Sequence, residues 1–337
     1  APCSPCFAGS EADVADDRRR NLGLAPNVEA LFTQSNARVL LGHAANGMLR
    51  FIAMPTQVYA APTGTRELGL GVGMYHHFDV VMYAGNLRYR LNLAGRDDPI
   101  VVSSAEDPTG GLPCETAYAD DFLPRTTTWV GDLEITLFSL APVAGEAESA
   151  PLAPAPLPGP AGAIYALHLR NTGDDLIEGR VVLQAGDRLI GHYEDVRHPP
   201  AMRAPDVTRR QQTLILTQPY GAAGIHLHDG TWRTQQAPYE AERAFSLGPG
   251  ASQTVETHVA LGASYAEVMP TIYELHMRSA LEWLNRTADF WLDRLGDLRV
   301  EVRGAPDAAR VSRDLYVRSL FDNVNCLQTD AEGALLA

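Results

Sequence analysis

The sequence His226-Leu-His228 places two imidazoles two residues apart, on one face of an expected strand. Paired imidazoles can begin a metal site. A third ligand at a defined spacing is not visible, although His76, His77, His192 or His198 could come close in space. Two histidines on the solvent side of a sheet account for the motif more simply, so no metal ligand, cofactor or catalytic residue is assigned from sequence. Tyr75, His76 and His77 follow a stretch in which glycine alternates with apolar residues, 68–74. That spacing does not match a phosphate-cradling G-x-x-x-x-G-K loop. A strand pressed by another backbone explains the glycines, and a loop tip at Tyr75, His76 and His77 is the candidate sugar contact. Trp129 and Trp232 join it, because a pyranose stacks on a flat apolar ring with a polar rim. Each tryptophan could equally anchor a sheet. Asp120, Asp121 and Arg125 form a polar loop that can hold hydroxyls through paired hydrogen bonds or simply pair ions at the surface.

Cys3 and Cys6 form a C-x-x-C pair, but no strand precedes them and no second pair matches, so neither a redox nor a zinc role follows. Four cysteines cannot staple 337 residues. The chain contains no lysine, which removes Schiff-base and Walker-type lysine chemistry. No G-x-S-x-G, H-E-x-x-H or calcium-loop pattern occurs. A net charge of −14 argues against non-specific binding to nucleic acid or anionic lipid. No apolar run reaches the roughly 20 residues of a membrane helix. The first residue is alanine, which favours export over a cytoplasmic location as an expectation.

These residues must be positioned by a mainly β framework. From about Asn36 to Leu261 the hydrophobic period is two, as in 87–93, 133–140, 164–169, 213–217 and 255–259. Turn signals such as Asn46-Gly47, Asp229-Gly230 and Gly248-Pro249-Gly250 separate the runs. Strands without helical spacers imply antiparallel sheets, and this many imply at least two packed sheets. The Ala- and Pro-rich stretch 141–160 reads as a loop or linker. Near residue 265 the period changes. Pro270 opens a long helix whose stripe is Met277, Leu281, Leu284, Ala288, Trp291 and Leu295. A short L-x-V-x-V strand follows at 298–302, then a Pro306-Asp307 step and a second helix over 307–328, apolar round more than half its circumference.

This order resembles the start of six-hairpin glycosidases and their phosphorylase relatives. The resemblance rests on Trp283, Trp291, the strand 298–302, Ala305-Pro306-Asp307, the helix through Leu315 and Leu320, and the late-strand pattern of 129–143. It implies a mainly β chain: a large antiparallel β-supersandwich followed by C-terminal linker helices. It further implies an extension at 1–30, the sandwich at 31–264, a helical linker at 265–304 and the start of an (α/α)6 barrel at 305–337. The expected function is then the N-terminal part of an inverting glycoside hydrolase or phosphorylase acting on an oligo- or polysaccharide. Its carboxylates would lie beyond Ala337, and its partner would be its own barrel or a second copy. Asp314, Asp322 and Asp330 read as solvated acids. The rival expectation is a stand-alone carbohydrate-binding β-sandwich protein with a helical tail.

Overall fold

The computed structural model describes residues 31–36, 38–55, 79–102, 114–119, 122–143, 159–192, 204–219 and 221–295. Within them the chain forms β1 (Leu31–Ser35), β2 (Leu40–Ala44), β3 (Leu49–Pro55), β4 (Asp79–Tyr83), β5 (Arg88–Leu93) and β6 (Ile100–Val101). There follow β7 (Cys114–Ala119), β8 (Leu123–Val130), β9 (Leu133–Leu140), β10 (Gly162–Asn171), β11 (Ile177–Ala185) and β12 (Leu189–His192). The strands end with β13 (Asp206–Arg210), β14 (Thr213–Gln218), β15 (Gly221–Leu227), β16 (Thr231–Trp232), β17 (Tyr239–Leu247) and β18 (Ser252–Gly262). Two helices close the described chain, α1 (Tyr265–His276) and α2 (Ala280–Leu295).

The protein is therefore mainly β, as the period of two requires. An eight-stranded sheet runs β13-β14-β15-β18-β10-β9-β8-β7. Facing it are two five-stranded sheets, β1-β2-β3-β4-β12 and β16-β17-β11-β5-β6. These two meet at strand ends, where Leu49 at the start of β3 and Leu87 just before β5 exchange backbone hydrogen bonds. The chain crosses that seam twice, from β4 to β5 and from β11 to β12. One layer thus splits in two, the expected outcome when a long twisted sheet cannot stay continuous.

The main core lies between the layers. Leu41, Ile52, Tyr83, Leu91 and Leu183 from the split layer meet Leu137, Leu167, Ile225 and Val259 from the other. Polar side chains fix their registry. His43 sits fully buried, with Nδ1 2.8 Å from Ser139 Oγ and Nε2 2.9 Å from Thr126 Oγ1. The Tyr89 hydroxyl donates to the Tyr165 carbonyl at 2.9 Å, and the two rings stack at 4.8 Å. The Asn46-Gly47 turn between β2 and β3 needs a residue at φ +84, which glycine adopts without strain.

The outer face of the eight-stranded sheet is buried as well. Phe138, Leu140, Ile164 and Ala166 meet Leu275, Ala280, Trp283, Phe290 and Trp291. Ala222 and Ala260 meet Val268 and Ile272 of α1. Gly224 lets the helix come this close: a Cβ there would lie 2.5 Å from Val268. Covered on both faces, β10 loses the one-sided alternation expected of a half-buried strand, and its first six residues are all buried.

The helical region differs from the single helix expected from its stripe. α1 begins at Tyr265, with Pro270 inside it rather than at its start. The chain then breaks at Met277-Arg278-Ser279, and α2 begins on a new phase. Met277 is 77% exposed and Leu281 47% exposed, while Ala280, Trp283, Thr287, Phe290 and Trp291 are buried. The break is chemically marked. Ser279 Oγ accepts the Glu282 N–H at 3.2 Å, the side-chain cap of a Ser-x-x-Glu start. The Trp283 indole N–H donates to the Leu275 carbonyl at 2.9 Å, satisfying an orphan acceptor at the end of α1. Ser279→Ala is expected to lower stability by about 1 kcal/mol in a urea melt, with Ser279→Asp within a few tenths of the parent. The strand expected at 298–302 and the helix at 307–328 lie outside the described residues.

Candidate functional site

Side chains on the outer face of the eight-stranded sheet change character along β15 and β18. Under α1 the face is apolar, with Ala222, Gly224 and Ala260. One step along, His226 and His258 stand directly opposite each other in the β15–β18 register. The next positions are His228, just past β15, and Glu256 on β18, joined by a His228 N–H to Glu256 carbonyl bond of 3.0 Å. α1 runs over this ladder so that His276, its last residue, falls on top. The His276 ring centroid lies 5.1 Å from that of His226, 4.8 Å from His228 and 5.9 Å from His258. The His226 and His258 rings are parallel within 6° at 5.7 Å.

The polar atoms of this group are poorly satisfied. His226 Nδ1 is 2.9 Å from Thr213 Oγ1, but its Nε2 is buried with no hydrogen-bond partner. His228 Nδ1 and both ring nitrogens of His258 are in the same position. The nearest acid to His258 is Glu256, at 3.6 Å from Nε2, too long for a hydrogen bond. The other oxygen of Glu256 accepts the Ala280 N–H at 2.9 Å, at the start of α2. Burial, reinforced by the neighbouring imidazoles, pushes His226 down to about 3. Burial also depresses His258, with Glu256 pulling weakly the other way. Burial pushes Glu256 up, but the His258 ring and the Ala280 N–H outweigh it and hold the carboxyl below its ordinary range. Both shifts favour the neutral imidazole, the form that has a lone pair to offer. Among the described residues, His226, His258 and His276 form the group that could face a common metal ion, with one ring atom from each lying within 4.8 Å of the others.

Further along the same face, beyond α1 and α2, the sheet is open among the described residues. Trp129 on β8 is 54% exposed. It stands beside Glu134, which stands beside Arg170. Arg170 and Glu134 form an ion pair at 3.6 Å. His168, two residues from Arg170, lies 2.9 Å from Thr254 Oγ1 through Nδ1. An exposed indole on a flat strand row with charged neighbours offers a stacking surface with a polar rim.

The other expected contacts fall elsewhere. Trp232 is only 8% exposed in the main core, and its indole N–H donates to the Gln212 carbonyl at 2.9 Å. Tyr75, His76 and His77 lie outside the described residues, as do Asp120 and Asp121, whereas Arg125 is exposed on β8. Trp129 and Trp232 are not brought together. Sequence reasoning found His226 and His228 but missed His258 and His276. His258 sits in the 255–259 strand and reaches His226 through a long-range register that no local signal specifies.

Two solved structures share this arrangement of sheets and helices. One is a candidate kojibiose phosphorylase from the human microbiome, 8% identical, with a TM-score of 0.51 over 95% of this chain and 41% of that one. The other is a bacterial glucoamylase in complex with acarbose, 10% identical, with a TM-score of 0.50 over 88% of this chain and 40% of that one. The likeness is one of fold. The chain spans about two fifths of the length of either neighbour. No family profile and no curated protein matches it.

Proposed function

We propose that this chain is the N-terminal part of a carbohydrate-active enzyme, an inverting glycoside hydrolase or phosphorylase acting on an oligo- or polysaccharide. The observation that carries the reading is the pair of solved carbohydrate-enzyme structures whose fold aligns with 95% and 88% of the chain. In this reading the sandwich and its two helices support an (α/α)6 barrel that holds the acid and base carboxylates. Direct attack by water or phosphate needs those carboxyl groups set wide apart across the glycosidic bond. The test compares residues 1–337 with the whole gene product, each incubated with oligosaccharides with and without inorganic phosphate. Turnover by the whole product and none by residues 1–337 is expected. Turnover by residues 1–337 alone contradicts the reading.

A second reading, a carbohydrate-binding sandwich, is favoured by the exposed Trp129 beside Glu134 and Arg170. If Trp129 is the stacking platform, Trp129→Ala lowers affinity for a bound oligosaccharide about tenfold in calorimetry, equivalent to about 1.4 kcal/mol. An unchanged affinity removes Trp129 from the contact.

A further inference from the structure

We propose that His226, His258 and His276 bind a divalent transition-metal ion of the zinc type, which clamps the last turn of α1 onto the outer face of the eight-stranded sheet. The proposal is independent of the carbohydrate reading. Three elements deliver the ligands: β15, β18 and the end of α1. His258 is buried and His226 half-buried, and each carries at least one buried ring nitrogen with no partner. A buried polar atom left unsatisfied loses its hydration with nothing in return. Several orphaned nitrogens in one group are thus an unusual expense unless something else accepts their lone pairs. Neutral imidazole is a preferred ligand of zinc and its neighbours in the first transition row.

The surroundings fit such an ion. With Nδ1 held 2.9 Å from Thr213 Oγ1, His226 keeps an unpartnered Nε2 for an ion in the tautomer that donates from Nδ1, the kind of outer hydrogen bond that orients metal-bound histidines. Glu256 adds a carboxylate next to His258. His228, with its buried Nδ1 unpartnered, is the nearest donor for a fourth position. Around a tetrahedral zinc at about 2.0 Å the ligand atoms lie about 3.3 Å apart. The three here lie within 4.8 Å, so binding requires a contraction. His276 can supply it: its exposed ring, at a helix terminus, is the one ligand of the three free to swing inward. That same exposure gives the ion a path in.

The consequence is mechanical. The break between α1 and α2 is already held by Glu256 and by the Trp283 indole. An ion at His276 would lock the same joint to the sheet and fix the angle at which both helices leave the sandwich.

The test uses the tag-free 337-residue chain carrying Cys3→Ser and Cys6→Ser, so that the C-x-x-C pair contributes no zinc. After chelator treatment and dialysis, zinc chloride is added and bound metal is measured by mass spectrometry. About one zinc ion per chain is expected. At a hundredfold excess over Kd, zinc should raise Tm by about 4 °C for a chain this long. His276→Ala, made at an exposed position, should keep the metal-free Tm within about 1 °C, bind less than about a tenth as much zinc and lose the Tm rise. Cobalt in place of zinc should give the intense visible bands of a tetrahedral nitrogen site, with no thiolate charge-transfer band. Sub-stoichiometric zinc with no Tm rise overturns the proposal. So does zinc binding in His276→Ala that equals the parent's, or a pale octahedral cobalt spectrum.

Discussion

Replacing Trp283 with alanine should remove about 3–5 kcal/mol of stability, the largest loss expected of a single substitution in the helical layer. Its side chain is fully buried against Leu140, Ile164 and Ala166 of the eight-stranded sheet. It also holds the α1–α2 break, through its N–H on the Leu275 carbonyl and through the Arg278 guanidinium 5.0 Å above its ring. Truncation would leave a cavity, an unpaired buried carbonyl and a lost cation–π contact together. Leu281→Ala, at an exposed position only two residues away, should cost under about 0.5 kcal/mol. Urea melts of the two variants distinguish the phase of α2 seen here from the stripe through Leu281. Equal losses would mean that the helix is rotated from the position described.

The second large effect is a loss of stability in acid that runs through His43. Burial holds this imidazole down to about 3. In the unfolded chain it takes up a proton near 6.5, and in the folded chain only near 3. Between those values the unfolded state binds the extra proton. Stability is therefore fully present above about pH 6.5 and falls by about 1.4 kcal/mol for each pH unit as the solution is acidified towards 3. Other groups titrate in the same window, so the measurement is a difference. His43→Gln has no proton to take up. Its deficit relative to the parent at pH 7.5 should shrink steadily below pH 6.5. A parent–variant difference that stays constant from pH 7.5 to pH 4 would show that His43 can be protonated without breaking its bonds to Ser139 and Thr126.

Much of the framework was legible because local sequence decides it. The alternating run 133–140 is β9 residue for residue, and the run at 87–93 is β5 with one residue to spare. The change of period near 265 coincides with the passage from β18, ending at Gly262, to α1, starting at Tyr265. The failures have physical causes. The stripe from Met277 to Leu295 kept a 4-3-4-3 spacing across a point where the helix stops, because periodicity does not register a cap. The Ser279-Ala-Leu-Glu282 pattern was the available signal for that stop. The candidate metal group was half visible. A two-residue spacing reveals His226 and His228, but β15 meets β18 only through tertiary pairing, and His276 arrives by the packing of α1. The splitting of one layer into two sheets likewise depends on twist accumulated across strands rather than on any one segment.

The most direct test of the account is to read the coding sequence past the codon for Ala337. The fold neighbours are each about two and a half times as long as the part they share with this chain. A long continuation of alternating amphipathic helical hairpins is expected, with a pair of acidic residues in the loops between them. A stop codon immediately after Ala337, or a continuation of unrelated β-strands, would contradict it.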